Sequence, residues 1–266
     1  MEVIVEEVSR GWTVRSGQDV LALDKVDHCF ASGRFTCILG PSGCGKSTLI
    51  KIVGGIEKAS TGRVAVRDPR SGHATRPVGR DSVMVWQTLN LFPWRNVIDN
   101  VAFGLEMRGI GKAERHRQAG DLIAMVGLEG FEGHLPGQLS GGMRQRVALA
   151  RALVMERPIL LMDEPFAALD AQTRIVLQEE LARIVEATGK TVLFVTHAID
   201  EAILLGDEVV VMSARPGRIK AVIPVDLPRP RTLELVNTKA YGALFDQVFH
   251  LIREEVMKTM ATGGRA

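Results

Sequence analysis

Residues Gly40-Pro41-Ser42-Gly43-Cys44-Gly45-Lys46-Ser47-Thr48 fit the pattern G-x-x-x-x-G-K-[ST]. Glycines at this spacing let backbone N–H groups close around a phosphate. Lys46 then reaches the β- and γ-phosphates of a nucleoside triphosphate, and the Ser47 hydroxyl suits Mg²⁺. An apolar run, Phe35 to Leu39, precedes the pattern, and a helical pattern carries on to Val53. That context separates it from a chance Gly-rich turn. Cys44 stands at a variable position of the pattern and reads as a passive small residue rather than a redox switch.

Further along, Asp163 and Glu164 close the apolar run "ILLMDEP". In an open α/β sheet, ligands bind beyond the carboxyl ends of strands. Asp163 there can orient Mg²⁺, and Glu164 can act as general base on a water. Two more apolar runs end in polar residues, Gln87 after "VMVW" and His197 after "LFVT". The bland reading of each is a strand-end hydrogen bonder. Placed at the same sheet edge, Gln87 can sense Mg²⁺ and water, and His197 can contact the γ-phosphate and hold the geometry of Glu164.

A second phosphate-gripping element lies in "QLSGGMRQRVALARAL", Gln138 to Leu153. Ser140, Gly141 and Gly142 open a helix there, and a helix start offers free N–H groups and partial positive charge to an anion.

These groups need elements to position them. Five short runs rich in Val, Ile and Leu begin at Phe35, Ser82, Pro158, Thr191 and Glu208. Near-continuous apolar strands argue for a sheet covered on both faces, and intervening helical patterns argue for α/β layering. Asp170 to Thr188 reads as an amphipathic helix with Asp170 as N-cap. About 88–154 is helix-rich and polar and reads as an insertion. Alternating patterns in the first ~70 residues, such as "GRVAVRD", suggest an antiparallel flank. After the prolines of "DLPRPR", a last helix near Thr238 to Met260 carries an apolar stripe for packing on the body.

The 266 residues hold ample apolar content for a core, and the net charge of +2 is too mild to suggest a nucleic-acid binder. Cys29, Cys37 and Cys44 form no Cys-x-x-Cys pair, which fits a reducing cytoplasm. The N-terminus is acidic and unlike a signal peptide, and no apolar run approaches the ~18 residues of a membrane-spanning helix. A soluble chain is expected, held at any membrane by a partner.

Taken together, the phosphate loop, Gln87, "LSGGMRQ", "LLMDEP", the "ALD" of Ala168 to Asp170, and His197 resemble the ATP-binding subunits of ABC transporters, in that family's order. The resemblance implies ATP and Mg²⁺ as ligands, with Ser47, Gln87 and Asp163 toward the metal and Glu164, His197 and Gln87 in catalysis. The nucleotide contacts are implied to be Gly40 to Thr48, together with Ser140, Gly141, Gly142 and Asp170. The implied fold is a P-loop NTPase (RecA-like) parallel-sheet core with an antiparallel β flank and a helical insertion. Residues 1–230 would form the ATPase domain and 231–266 a C-terminal helical extension. Two copies are implied to meet head to tail, each offering Ser140 to Gly142 to the other's ATP. That would explain why one chain has two phosphate-gripping elements.

More finely, "LFPWRNVIDNVAFGLEMRGI", "LDAQTRIVLQEEL", "THAIDEAILLGDEVVVMSARPGRI" and "DLPRPR" resemble the importer branch for nitrate, taurine and aliphatic sulfonates. This implies membrane-spanning permease subunits, a substrate-binding protein that supplies cargo, and a peripheral place on the cytoplasmic face of the membrane. Leu91, Phe92 and Trp94 are then a candidate seat for a permease helix, with buried core as the bland alternative. No aromatic aligns cleanly for stacking on adenine: Trp12 is one candidate, with Val14 an apolar substitute, and an exposed strand Trp is an equal reading. Ala198 stands where an acidic residue is common, and Trp86 where Phe is usual. The alternatives are a soluble ABC ATPase, which often carries fused repeats, coiled-coil arms or zinc modules, and a nucleotide switch without turnover. The single nucleotide unit counts against the first, and intact Glu164 and His197 against the second.

Overall fold

The computed structural model describes residues 1–13, 19–70, 75–167 and 169–263. Val14 and Ala168 therefore lie outside the described residues. All five apolar runs form strands: β3 (Phe35–Leu39), β6 (Ser82–Val85), β7 (Ile159–Asp163), β8 (Thr191–Val195) and β9 (Glu208–Met212). They pair in parallel. A further strand, β10 (Ile219–Pro224), joins the edge antiparallel to β9 and gives the order β10-β9-β3-β8-β7-β6.

Both faces of this sheet are covered, and the residues alternate between them as the strand period requires. Phe35, Cys37, Leu39, Val192 and Phe194 enter one core; Ile38, Leu193 and Val195 enter the other. The first core is roofed by α5 (Ala171–Thr188), α6 (Ile199–Leu205) and α7 (Lys239–Gly263). In α7, Tyr241 and Val248 are buried, so the apolar stripe is packed on the body.

On the other face, α1 (Lys46–Val53) lies between the parallel sheet and a second, antiparallel sheet. The second sheet contains β1 (Glu2–Thr13), β2 (Asp19–Phe30), β4 (Thr61–Arg67) and β5 (Thr75–Pro77), in the order β2-β1-β4-β5. The flank differs from the expectation in extent. It reaches Pro77, and the chain leaves it between β2 and β4 to build β3 and α1 of the central layer.

Between β6 and β7 come α2 (Val97–Met107), α3 (Lys112–Met125) and α4 (Gly141–Leu153), which share a core of their own around Val101, Leu105, Ile123 and Val147. Among the described residues, no helix is long and apolar enough to cross a membrane.

Candidate nucleotide site

The β3–α1 connection sets the geometry. Gly45 has φ 104°, a left-handed conformation open to glycine, and an added Cβ would come within 2.6 Å of Leu23 Cδ2. No side chain caps the start of α1, so its first N–H groups are left for a ligand. Lys46 is only 4% exposed. Its Nζ donates to the carbonyl oxygens of Gly40 (2.8 Å) and Pro41 (2.9 Å). Among the described residues, no carboxylate forms an ion pair with it. A buried cation so placed needs an anion, and a phosphate fits the cradle.

Beside it, Ser47 Oγ donates to Asp163 Oδ1 at 2.9 Å. Burial pushes the Asp163 carboxyl up, and the Ser47 hydroxyl offsets part of that push. A hydroxyl and a carboxylate are hard oxygen donors that would suit Mg²⁺.

Glu164, next in the chain, has φ 49° and donates its N–H to Val195 O at 3.0 Å. This seats the carboxylate beyond the ends of β7 and β8. Gln87 Nε2 donates to Glu164 Oε2 at 3.1 Å, and His197 Nε2 lies 2.6 Å from the same oxygen. A cavity of about 430 Å³ brings together Ser42, Gly43, Gly45 to Thr48, Gln87, Glu164 and His197. Trp12, Ala22 and Arg215 complete its wall. The sequence left Trp12 undecided between two readings; here it borders the cavity, with the Arg10 guanidinium 5.2 Å from its ring centroid.

The second phosphate-gripping element is elsewhere. Ser140 caps α4 by accepting from Met143 N (3.2 Å), and Asp170 caps α5 by accepting from Thr173 N (3.0 Å). The Thr173 bond holds the Asp170 carboxyl below its ordinary range. Ser140, Gly141, Gly142 and Asp170 do not line this cavity, and neither do Gly40, Pro41, Cys44 and Asp163, although Asp163 is bonded to Ser47.

Sequence reasoning missed the support behind His197. Glu201 is buried and accepts from Thr196 Oγ1 (2.5 Å) and Gln178 Nε2 (3.0 Å). Burial pushes its carboxyl up, against these hydrogen bonds and the nearby Arg174. Arg174 lies 3.8 Å from Glu201 and donates to Leu169 O at 2.9 Å. A polar chain thus runs from the loop before Asp170 to the residue preceding His197. Its only sequence signal was polar residues on the apolar faces of α5 and α6. Arg215 was missed too: it lies more than 160 residues from the phosphate loop in the chain.

Comparison with known proteins gives the family. The family model described as ABC transporter matches residues 23–167. An uncharacterised ABC transporter ATP-binding protein of Methanocaldococcus jannaschii is 47% identical, over 92% of this chain and 89% of its own. A taurine import ATP-binding protein of Rhizobium johnstonii is 44% identical over 95% and 94%. A bicarbonate transport ATP-binding protein of Synechococcus elongatus is 38% identical over 95% of this chain, which spans 38% of that protein. Among solved structures, a dimeric ATP-binding cassette in a post-hydrolysis state, bound to ADP and Pi, superposes with a TM-score of 0.74. It is 30% identical and covers 85% of this chain and 100% of its own. With the phosphate cradle, the acidic strand end and these likenesses in agreement, the chain belongs to the ATP-binding subunits of ABC transporters and is an Mg²⁺-dependent ATPase.

Proposed function

We propose that this chain is the ATP-hydrolysing subunit of an importer that takes up a small anion such as nitrate, taurine or an aliphatic sulfonate. The observation that carries the hydrolytic reading is the convergence of Lys46, Ser47, Gln87, Glu164 and His197 on one cavity. The loop N–H groups and Lys46 would bind the β- and γ-phosphates, and Ser47, Asp163 and Gln87 would hold Mg²⁺. When bound, Mg²⁺ supplies neutralising charge at the phosphate oxygens. Glu164 takes the proton of the attacking water, while Gln87 and His197 hold its carboxylate in place.

Ser140, Gly141, Gly142 and Asp170 act on the ATP of a second copy. Their absence from this chain's own cavity supports that reading, as does the dimeric state of the solved relatives. Residues 1–230 serve as the ATPase domain and 231–266 as its helical extension. The taurine and bicarbonate proteins among the relatives support the importer branch. In this reading the chain sits peripherally on the cytoplasmic face, against permease subunits served by a substrate-binding protein.

Purification of the tagged chain from gently solubilised membranes tests this. The expected result is recovery with a membrane-spanning partner, and ATPase activity that rises with a binding protein loaded with one of these anions. ATP hydrolysis by a chain that never recovers a membrane partner favours the soluble ABC ATPase instead.

A further inference from the structure

The sheet order gives the cavity a direction. Along the carboxyl edge, β6, β7 and β8 deliver Gln87, Glu164 and His197 on one side of the phosphate loop that follows β3. On the other side of β3 lies β9, parallel to it, so the turn between β9 and β10 emerges at the same edge. With the terminal phosphate toward Glu164, the rest of a nucleotide extends toward this turn and the end of β1.

The turn is built against the phosphate loop. Gly217 donates to Ala22 O (2.8 Å), and its own carbonyl accepts from Asp24 N (3.0 Å). An added Cβ at Gly217 would stand 1.9 Å from the Cys44 carbonyl oxygen, so the two backbones touch. Ser213 N donates to Arg218 O (2.9 Å), closing the turn. From below, the buried Glu255 of α7 accepts from Ala214 N at 2.8 Å. The turn is therefore fixed on both sides.

Arg215 stands between these anchors and lines the cavity together with Trp12. Its Nε makes one long hydrogen bond, 3.4 Å to Leu21 O, and it enters no ion pair among the described residues. Its remaining N–H donors make no hydrogen bond to the described residues. A planar guanidinium of this kind stacks on a base or donates to ring nitrogens and sugar hydroxyls.

We propose that Arg215 is a nucleoside-reading residue, which contacts the base or ribose of the bound nucleotide opposite Trp12, while Glu255 positions the turn that carries it. The inference rests on the reading of this cavity as the ATP site. It assigns Arg215 to the part of the ligand that pyrophosphate lacks.

Equilibrium titration of the isolated full chain with Mg²⁺-ADP and with Mg²⁺-pyrophosphate tests it. In Arg215→Ala, ADP affinity is expected to fall about tenfold, on the scale of one desolvated cation–π or hydrogen-bonded contact, while pyrophosphate affinity stays within about twofold. Unchanged ADP affinity overturns the assignment, and so does an equal fall for both ligands, which would mark Arg215 as a general attractor of anions. Arg215→Gln is read by the same criteria if the alanine variant fails to fold. A wild-type chain that binds neither ligand overturns the reading of the site itself, and Arg215 with it.

Discussion

His197 Nε2 lies 2.6 Å from Glu164 Oε2, so the imidazole after β8 and the carboxylate after β7 meet across two adjacent parallel strands. Gln87 binds the same oxygen from β6. Residues from three neighbouring strand ends thereby meet at one carboxylate oxygen.

Glu164→Gln keeps the size and hydrogen-bonding reach of this side chain but removes the base. Turnover is expected to fall by roughly 10²–10⁴, the scale of general-base catalysis. ATP binding is expected to persist, and ATP should trap a dimer detectable by size-exclusion chromatography. Hydrolysis at the wild-type rate would remove Glu164 from the role of base.

Ser140→Arg puts bulk at an exposed helix start outside the chain's own cavity. The variant is expected to bind ADP normally and to lose ATPase activity. Mixed with Lys46→Ala chains, it forms heterodimers with one doubly broken site and one intact site. Partial recovery of ATPase in the mixture supports sharing across subunits. Normal ATPase in Ser140→Arg alone counts against any role in trans.

The cluster after Gln87 divides in two. Phe92 is half-buried against Phe103, with ring centroids 4.6 Å apart, and its backbone is tied to the buried Asn100 by bonds of 2.8 and 3.1 Å. Trp94 is 73% exposed. Burying such an aromatic under a permease helix is worth about 1.5–3 kcal/mol. Trp94→Ala is therefore expected to leave melting temperature and ATP binding unchanged and to weaken recovery of the membrane partner about tenfold or more. Phe92→Ala is expected to lower the melting temperature as well. Full assembly and transport with Trp94→Ala would end the docking idea.

Glu255 offers a test by pH. Burial pushes its carboxyl up, but hydrogen bonds from Lys220, Lys258 and Ala214 N–H outweigh that and hold it down, to about 2. A carboxylate with a lowered folded-state pKa stabilises the fold above its unfolded value and loses that contribution as pH falls through the folded one. The wild-type chain is expected to melt higher than Glu255→Gln at pH 7. The gap is expected to narrow between about pH 4.5, the ordinary carboxylate value, and about pH 2. A gap that stays constant across that window argues against Glu255 as a charged anchor of α7.

The sequence by itself determined the local chemistry. Residues Gly40 to Thr48 specify a loop that turns through left-handed φ at Gly43 and Gly45 and leaves the start of α1 without a side-chain cap, because side-chain-free backbone and a helix start act within a few residues. The strand runs were legible because residues buried on two faces are nearly all apolar, and Asp170 was legible because a cap acts within one turn of its helix. Only the tertiary structure decided which strand end stands beside which. That order brings Gln87, Glu164 and His197 to one oxygen, and it sets Arg215 on the other flank of the phosphate loop. β10 escaped notice because it lies half-exposed at the sheet edge, with Lys220, Glu254 and Glu255 meeting beside it. Such contacts join residues far apart in the chain through burial and hydrogen bonding, and neither follows from the spacing of residue types along it.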